Sequence, residues 1–564
     1  MPWLAFLFPF ASALALALAG RWLGRAGLTL GASMALVITL ELAAGVVLNG
    51  TDVQPDWHRV TAPVLTLTPV GGAFLLMVPM VALLVVLYAG YHERLPSNDP
   101  PGTQGNPARL LAWTLALVGG LALLALAGDW LTLLVAWEVT GLCTWRLMAL
   151  EWGRGVPDGA LGGLWWLRCG ALGLYVTTAT LMIGPGGIGI AGLAELDGVS
   201  GQVAALGIVL AAMARSGQVP FSPWLFASAS GPVPVSALLH TVALVATGLY
   251  LIIRVQPSLT AIDWFNPAIM TIAVVTAWAG CGVALFQGHA RKLLSASTSV
   301  QFGLMWLAVG AGYPGAALMY FITHAFMKAG LFLSAGAAAR RAGTFMLAYM
   351  RMGREMPVLA ATTLLSVLAL AGIDPLGAAW AKEKVIAAAG SQATWLALGV
   401  MPVGFMTAIF ATRFQRLVYG RPLHDRPGPG VGPALRKPET WALRGLAICT
   451  LLLSLLWVPA LHRPLMAALE MRSPTSQLWM HLLSLSLALL GIVIGVRMTR
   501  RARQGIEPSR EQAFLASWYG LYPLICRVGQ FLPGKRMSPV RCLVSVYLGS
   551  VGLGIALLAA AWLV

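Results

Sequence analysis

Only six of the 37 basic residues in this 564-residue chain are lysines, and three of them, Lys328, Lys382 and Lys384, sit within or beside apolar stretches. Arginine keeps its proton under any condition a protein meets, whereas a desolvated lysine can have its pKa lowered by several units. A chain that uses arginine for most of its positive charge, yet keeps lysine among apolar residues, has candidate proton exchangers at those places. Acidic candidates are as sparse. Glu138 lies in DWLTLLVAWEVTGLCTWRLMAL, more than one helical turn from either end, and Glu383 adjoins Lys382 in AAWAKEKVIAAAG. His240 in SALLHTVAL and His324 in FITHAFMKAG complete the set. His324 and Lys328 share a helix face at i, i+4, so a proton can pass between them directly or through one water. The bland alternatives are a snorkelling or structurally paired lysine and a hydrogen-bonded packing histidine. They are favoured for Lys384, and Glu41 in the second apolar run reads as structural or interfacial.

The elements that must position these groups are apolar helices. The chain is 58% hydrophobic and 10% charged, too little charge to wet the surface of a soluble protein of this length. Pro2–Gly20, Gly27–Leu48, Leu110–Gly128 and Leu543–Val564 each supply the roughly 20 apolar residues that span a bilayer. The first run lacks a basic segment before it and reads as a retained helix. A charge inside such a helix costs at least a few kcal/mol, which makes each of the residues above a functional candidate. The net charge of +17 follows from the positive-inside rule, not from nucleic-acid binding. With about sixteen helices and the N-terminus outside, arginine-rich loops such as 340–354, 413–437 and 500–503 all fall on the cytoplasmic side.

Several classes of chemistry lack their motifs. The six cysteines form no CxxC pair, and the eight histidines show no metal or haem spacing. Walker loops, dinucleotide fingerprints and nucleophile elbows are missing, so no cofactor and no redox chemistry are expected in this chain. Its energy source is a gradient or partner subunits. Two helices look broken: ARSGQVPFSPWLFASASGPVPVSALLH, with its prolines, and LAGIDPLGAAWAKEK, with Gly372, Pro375 and Gly377. The interruptions lie about 155 residues apart, as expected for two consecutive five-helix units of a transporter built from inverted repeats.

The segment SGQVPFSPWLFASASGPVPVSALLHTVALVATGLYLIIR strongly resembles the signature of the proton-conducting subunits of respiratory complex I and of multisubunit cation/proton antiporters. WEVTGLCTWRLM, THAFMKAGLFLSAGA and WAKEKVI resemble further segments of that family, over roughly residues 70–420, with order and spacing nearest the chain L type. The resemblance implies a half-channel glutamate at Glu138 and relay groups at His240, His324 and Lys328. It also implies an exit-side lysine at Lys382 with Glu383 beside it. Three positions depart from the family pattern: Arg215 stands where the central lysine of the first broken helix is expected, Ala171 replaces an aspartate, and Tyr320 replaces a histidine. An arginine cannot cycle its proton, so Arg215 blocks or rewires the first half-channel.

The expected fold is therefore an all-α polytopic membrane protein with inverted five-helix repeats and two broken helices. Its expected parts are N-terminal helices with a first cytoplasmic loop (1–106), a first unit (107–256), a second unit (257–420), and C-terminal helices with a short amphipathic segment near 513–531 (421–564). The expected function is a proton-translocating subunit of a complex-I-like NADH:quinone oxidoreductase in the cell inner membrane, moving protons, or Na+ in their place, beside other membrane subunits. The alternatives are the membrane subunit of a two-part bicarbonate uptake system, a cation/proton antiporter subunit, and a membrane scaffold whose proton path has decayed.

Overall fold

A computed structural model describes residues 2–49, 64–91, 107–151, 158–420, 433–501, 551–552 and 554–560. The amphipathic segment near 513–531 and residues 421–432 of the basic loop lie outside them. Nearly all of the described chain is helical, and its only extended pairings are three isolated bridges: Leu65 with Ala127, Asp129 with Gly189, and His289 with Met346. Lipid offers no partners for backbone N–H and C=O groups, so apolar segments of this length satisfy them internally as helices.

Three helices open the chain: α1 (Pro2–Ala19), α2 (Arg25–Asn49) and α3 (Pro69–Ala89). The next set is α4 (Pro107–Leu126), α5 (Trp130–Met148), α6 (Asp158–Ile183), α7 (Gly198–Ser216), α8 (Pro223–Ala227), α9 (Val233–Leu239) and α10 (Leu244–Leu259). It is followed by α11 (Phe265–Phe286), α12 (Ala290–Gly310), α13 (Pro314–Ala342), α14 (Pro357–Ala371), α15 (Gly377–Gln392) and α16 (Thr394–Val418). The last helices are α17 (Lys437–Leu452), α18 (Pro459–Ala468) and α19 (Leu478–Arg501). Thirteen spans among the described residues are long and apolar enough to cross a membrane, with α9 and α10 counting as one.

Each of the two central sets holds one interrupted helix: α7 and α8 in the first, α14 and α15 in the second. The local causes match. Gly217 (φ 61°) ends α7 and Gly372 (φ 86°) ends α14, both in the left-handed conformation that a side chain disfavours. Downstream of each, Pro223 and Gly377 restart the helix. A cis X–Pro bond lies in each gap, at Val219–Pro220 and Asp374–Pro375.

The dense interior lies where the sets meet. The spans of α9–α10, α12 and α13 are wholly buried, whereas α1, α2 and α19 keep broad apolar faces exposed. Helix α12 packs on α8 and α10 from the first set and on α11, α13, α15 and α16 from the second. Outside the repeats, α19 lies on α16 with almost no clearance. A Cβ at Gly491 would meet the Phe405 carbonyl at 2.6 Å, and one at Gly495 the Ile409 carbonyl at 2.8 Å. This G-x-x-x-G pair lets two backbones approach in lipid, where side-chain hydrophobicity gives no drive to associate.

Candidate functional site

The first set holds a cluster of fixed charge. Asp129 caps α5 by accepting from the Thr132 backbone N–H at 2.8 Å, and it takes a further bond from the Val64 N–H at 3.2 Å. Midway along α5, Glu138 accepts a hydrogen bond from the guanidinium of Arg168 on α6. One turn before the break, Arg215 lies over the Trp137 ring, 4.3 Å from its centroid. It donates to the Trp137 carbonyl at 2.5 Å and to Thr140 Oγ1 at 3.1 Å. A cation in the last turn of α7 also meets the negative end of that helix's dipole. Arg168 was passed over as a site residue in the sequence, although a charged residue inside LWWLRCGALGLYV follows the same rule that selected Glu138.

Buried backbone groups at the first break are taken up by neighbouring side chains. Ser299 Oγ donates to the Gly217 carbonyl at 2.8 Å, Thr276 Oγ1 accepts from the Val219 N–H at 3.1 Å, and Trp224 Nε1 donates to the Ala214 carbonyl at 2.7 Å.

Beyond this break stand buried histidine and lysine, beside Arg291, which donates to the Gly231 carbonyl at 2.6 Å and to Ser236 Oγ at 2.5 Å. His240 caps α9 and is fully buried between Trp224 and Phe332, its ring stacked 4.6 Å from the latter. Its Nε2 lies 2.7 Å from Ser228 Oγ and 3.3 Å from Ser295 Oγ. Both hydroxyls also reach helix carbonyls, Leu225 and Arg291, and where they donate there the imidazole donates to them from Nε2. Lys328, also fully buried, donates to Ser297 Oγ. One turn back on α13, His324 meets Phe302 edge-on at 5.4 Å, and neither of its ring nitrogens has a hydrogen-bond partner among the described residues. Lys328 is a charged neighbour of both histidines, with Arg291 another for His240, and Lys382 is a charged neighbour of His324 and Lys328.

The serines of α12 organise this row, and the sequence reading missed them. In SASTSVQ, Ser295 and Ser299 are one turn apart and face the first set, at His240 and the Gly217 carbonyl. Ser297 and Gln301 are one turn apart on the other face, where they meet Lys328 and the Tyr320 hydroxyl of α13. The i, i+4 spacing of hydroxyl and amide groups in an otherwise apolar helix was the available signal.

At the second break Lys382 curls back from α15, and its ammonium donates to the Leu370 carbonyl of α14's last turn. That carbonyl has no partner within its own helix, and the helix dipole there favours a cation. Beside the ammonium lies a cavity of about 20 Å³, bounded by Gly372, Gly404, Ser484 and Ala488 among others. The volume suffices for one water. Glu383, the next residue, accepts from His481 Nδ1 of α19 at 2.7 Å, and His481 Nε2 lies 3.5 Å from Asp374 in the break itself. Gly377 N–H donates to Ser454 Oγ at 2.7 Å. Lys384 instead donates to the Pro474 carbonyl at 2.9 Å, a structural contact away from the row. Neither Asp374 nor His481 was selected from the sequence.

At the opposite end of α13, Arg340 and Glu439 form a bidentate pair at 2.7 and 2.9 Å, both fully buried, which joins α13 to α17.

Two interrupted helices around a buried row of histidine and lysine define a multi-pass membrane protein of antiporter-like build. Residues 127–410, just over half of the chain, match the family described as NADH:quinone oxidoreductase/Mrp antiporter, TM, and the chain belongs to that family. Among its relatives, the NAD(P)H-quinone oxidoreductase chain 5 of Synechocystis sp. is 30% identical over 61% of this chain and 53% of its own length. The NADH-quinone oxidoreductase subunit L of Mycobacterium tuberculosis is 29% identical over 79% of this chain and 73% of its own. The matched region thus spans between about half and three quarters of these curated relatives. Two solved assemblies share the fold. The Mrp complex from Dietzia sp. matches with a TM-score of 0.72 and 22% identity, over 98% of this chain and 63% of the matched one. Respiratory complex I from Thermus thermophilus with bound NADH matches with a TM-score of 0.69 and 21% identity, over 87% and 99%.

Proposed function

We propose that this chain is a proton-translocating membrane subunit of a complex-I-like NADH:quinone oxidoreductase, seated in the cell inner membrane beside other membrane subunits. The observation that carries the reading is the buried row from His240 through Lys328 and His324 to Lys382. Two neutralisable lysines stand there on a hydroxyl and a carbonyl, with no acidic counter-ion among the described residues, beside two imidazoles, of which His240 meets two hydroxyls and His324 meets none; the nearest carboxylate along the chain, Glu383, is turned to His481. A lysine bound only to neutral oxygen can release its proton without leaving a broken ion pair behind, which an arginine cannot do. In this reading residues 107–256 and 257–420 are the two functional units. Glu138 and Arg215 set the field at the inner end of the row, and Lys382 with Glu383 forms its exit side. The arginine-rich segments 340–354 and 433–444 face the cytoplasm.

A second reading, a cation/proton antiporter subunit, is favoured by the 98% of this chain that the Mrp complex covers. Purification in mild detergent, with the bound chains identified, separates the two. Redox subunits of a quinone reductase support the first, antiporter subunits the second, and a large zinc-binding partner the bicarbonate uptake system. Proton flux into proteoliposomes of the purified assembly tests translocation itself. Normal flux from well-assembled Lys382→Ala protein rejects the row as the path.

A further inference from the structure

We propose that His481, supplied by α19 from outside the two five-helix units, is the proton-transfer residue linking Glu383 to Asp374 at the outer end of the path. The proposal rests on the translocation reading above and adds a residue to it. Three observations converge on this imidazole. Its two nitrogens face two different carboxylates, Nδ1 toward Glu383 Oε2 at 2.7 Å and Nε2 toward Asp374 Oδ2 at 3.5 Å. Its ring stacks on Trp380 at 5.6 Å and 20°, which holds it in the plane that reaches both. The same inner face of α19, at Ser484 and Ala488, walls the small cavity beside Lys382. One helix therefore closes the lysine's cavity and places a proton acceptor one residue along α15 from it.

The burial grades in the direction a proton would leave. Glu383 keeps 8% of its side chain exposed, and His481 and Asp374 each keep 25%. Asp374 Oδ1, though itself buried, has no hydrogen-bond partner among the described residues, so this carboxylate has an acceptor to spare. The other charged groups of α15 stand to either side. Lys382 points back into the break and Lys384 is held by the Pro474 carbonyl. The transfer balances as one proton in and one out. Protonated Glu383 gives its proton to Nδ1 of the neutral ring, and the imidazolium gives the Nε2 proton to the Asp374 carboxylate. Asp374 then releases its proton, and the ring, left with its proton on Nδ1, takes a proton from water at Nε2 as it gives up the one on Nδ1, which restores the starting tautomer. A purely structural histidine pinning α19 to α15 would need only one of these two contacts.

The test uses the intact purified assembly in proteoliposomes, with wild type, Lys382→Ala, His481→Gln and His481→Gly compared. Glutamine keeps a hydrogen-bonding amide but cannot take a proton. The expected result is a His481→Gln assembly of normal abundance whose flux falls by at least about tenfold, with added imidazole restoring flux to His481→Gly. The proposal is overturned if His481→Gln pumps like wild type while Lys382→Ala does not, a result that leaves translocation standing. It is equally overturned if flux falls without rescue by imidazole, or if both variants fail to assemble, since the histidine is then a pin. Normal flux from Lys382→Ala removes the translocation reading and this proposal together.

Discussion

At the first helix break the buried cation is Arg215, held by a ring face, a carbonyl and a hydroxyl, in a set where the mid-helix carboxylate of Glu138 is engaged by Arg168. At the second break it is Lys382, held by one carbonyl, with a water-sized cavity at its side and its neighbouring carboxylate turned to a histidine. The same architectural slot is thus filled once by a charge that is permanent and multiply anchored, and once by a charge that is removable and lightly anchored. The lesson is that the fold does not determine whether a break conducts. The proton affinity and the number of anchors of one side chain do so. The first half reads as an electrostatic bias on the row, and the second as its moving part.

The comparison breaks most sharply at Lys382. Lys382→Ala should bring proton flux to background in an assembly of normal abundance, and Lys382→Arg should impair it nearly as much, because the charge stays but the proton does not leave. Equal tolerance of both substitutions would erase the difference between the halves. Next in size, Glu138→Gln should act on the folded protein: it leaves the buried Arg168 without its carboxylate, at a cost of about 3–5 kcal/mol. The yield of assembled complex and its thermal unfolding in detergent should both drop, and unchanged yield would show that this pair is not an anchor. Arg215 gives the finer test. Arg215→Ala should cost about 1–3 kcal/mol through the lost charge-assisted hydrogen bonds to the Trp137 carbonyl and the Thr140 hydroxyl, which still bond each other, read as lower yield, while Arg215→Lys should assemble and hold or raise proton flux. Loss of flux in Arg215→Lys would mean that the guanidinium geometry itself matters to the row. The smallest effect belongs to Ser297→Ala, which removes the hydroxyl bonded to Lys328. Flux should fall by about threefold to tenfold, for roughly 1 kcal/mol of lost hydrogen bonding, with yield unchanged.

Much of this is legible in the sequence, for definite reasons. The two breaks announce themselves because glycine and proline act on the backbone locally, so Gly217, Pro223, Gly372 and Gly377 mark them residue by residue. Lys328, Lys382, His240 and His324 stand out because each is a polar residue in an apolar run, a contrast that needs no partner to be seen. What the sequence hid was pairing. Nothing local joins Arg168 to Glu138, 30 residues away, or His481 to Glu383, 98 residues away. His481 was further masked because its helix lies beyond the repeats, and Asp374 because it sits in a stretch already explained as a break. The serines of α12 were invisible for another reason: each is an ordinary small residue, and only their alternation between two packed neighbours gives them a role.

The tight seat of α19 on α16 has a mechanical consequence. Gly491 and Gly495 clamp the helix near its middle, and His481 stands about 12 residues from the centre of that clamp, a lever arm of about 18 Å at 1.5 Å per residue. A rotation of about 5° about the clamp displaces the imidazole by about 1.6 Å, enough to part it from Glu383, while the glycine contact itself barely shifts. Any neighbouring subunit that leans on the exposed face of α19 thereby holds the long end of a lever whose short end is bolted to the core.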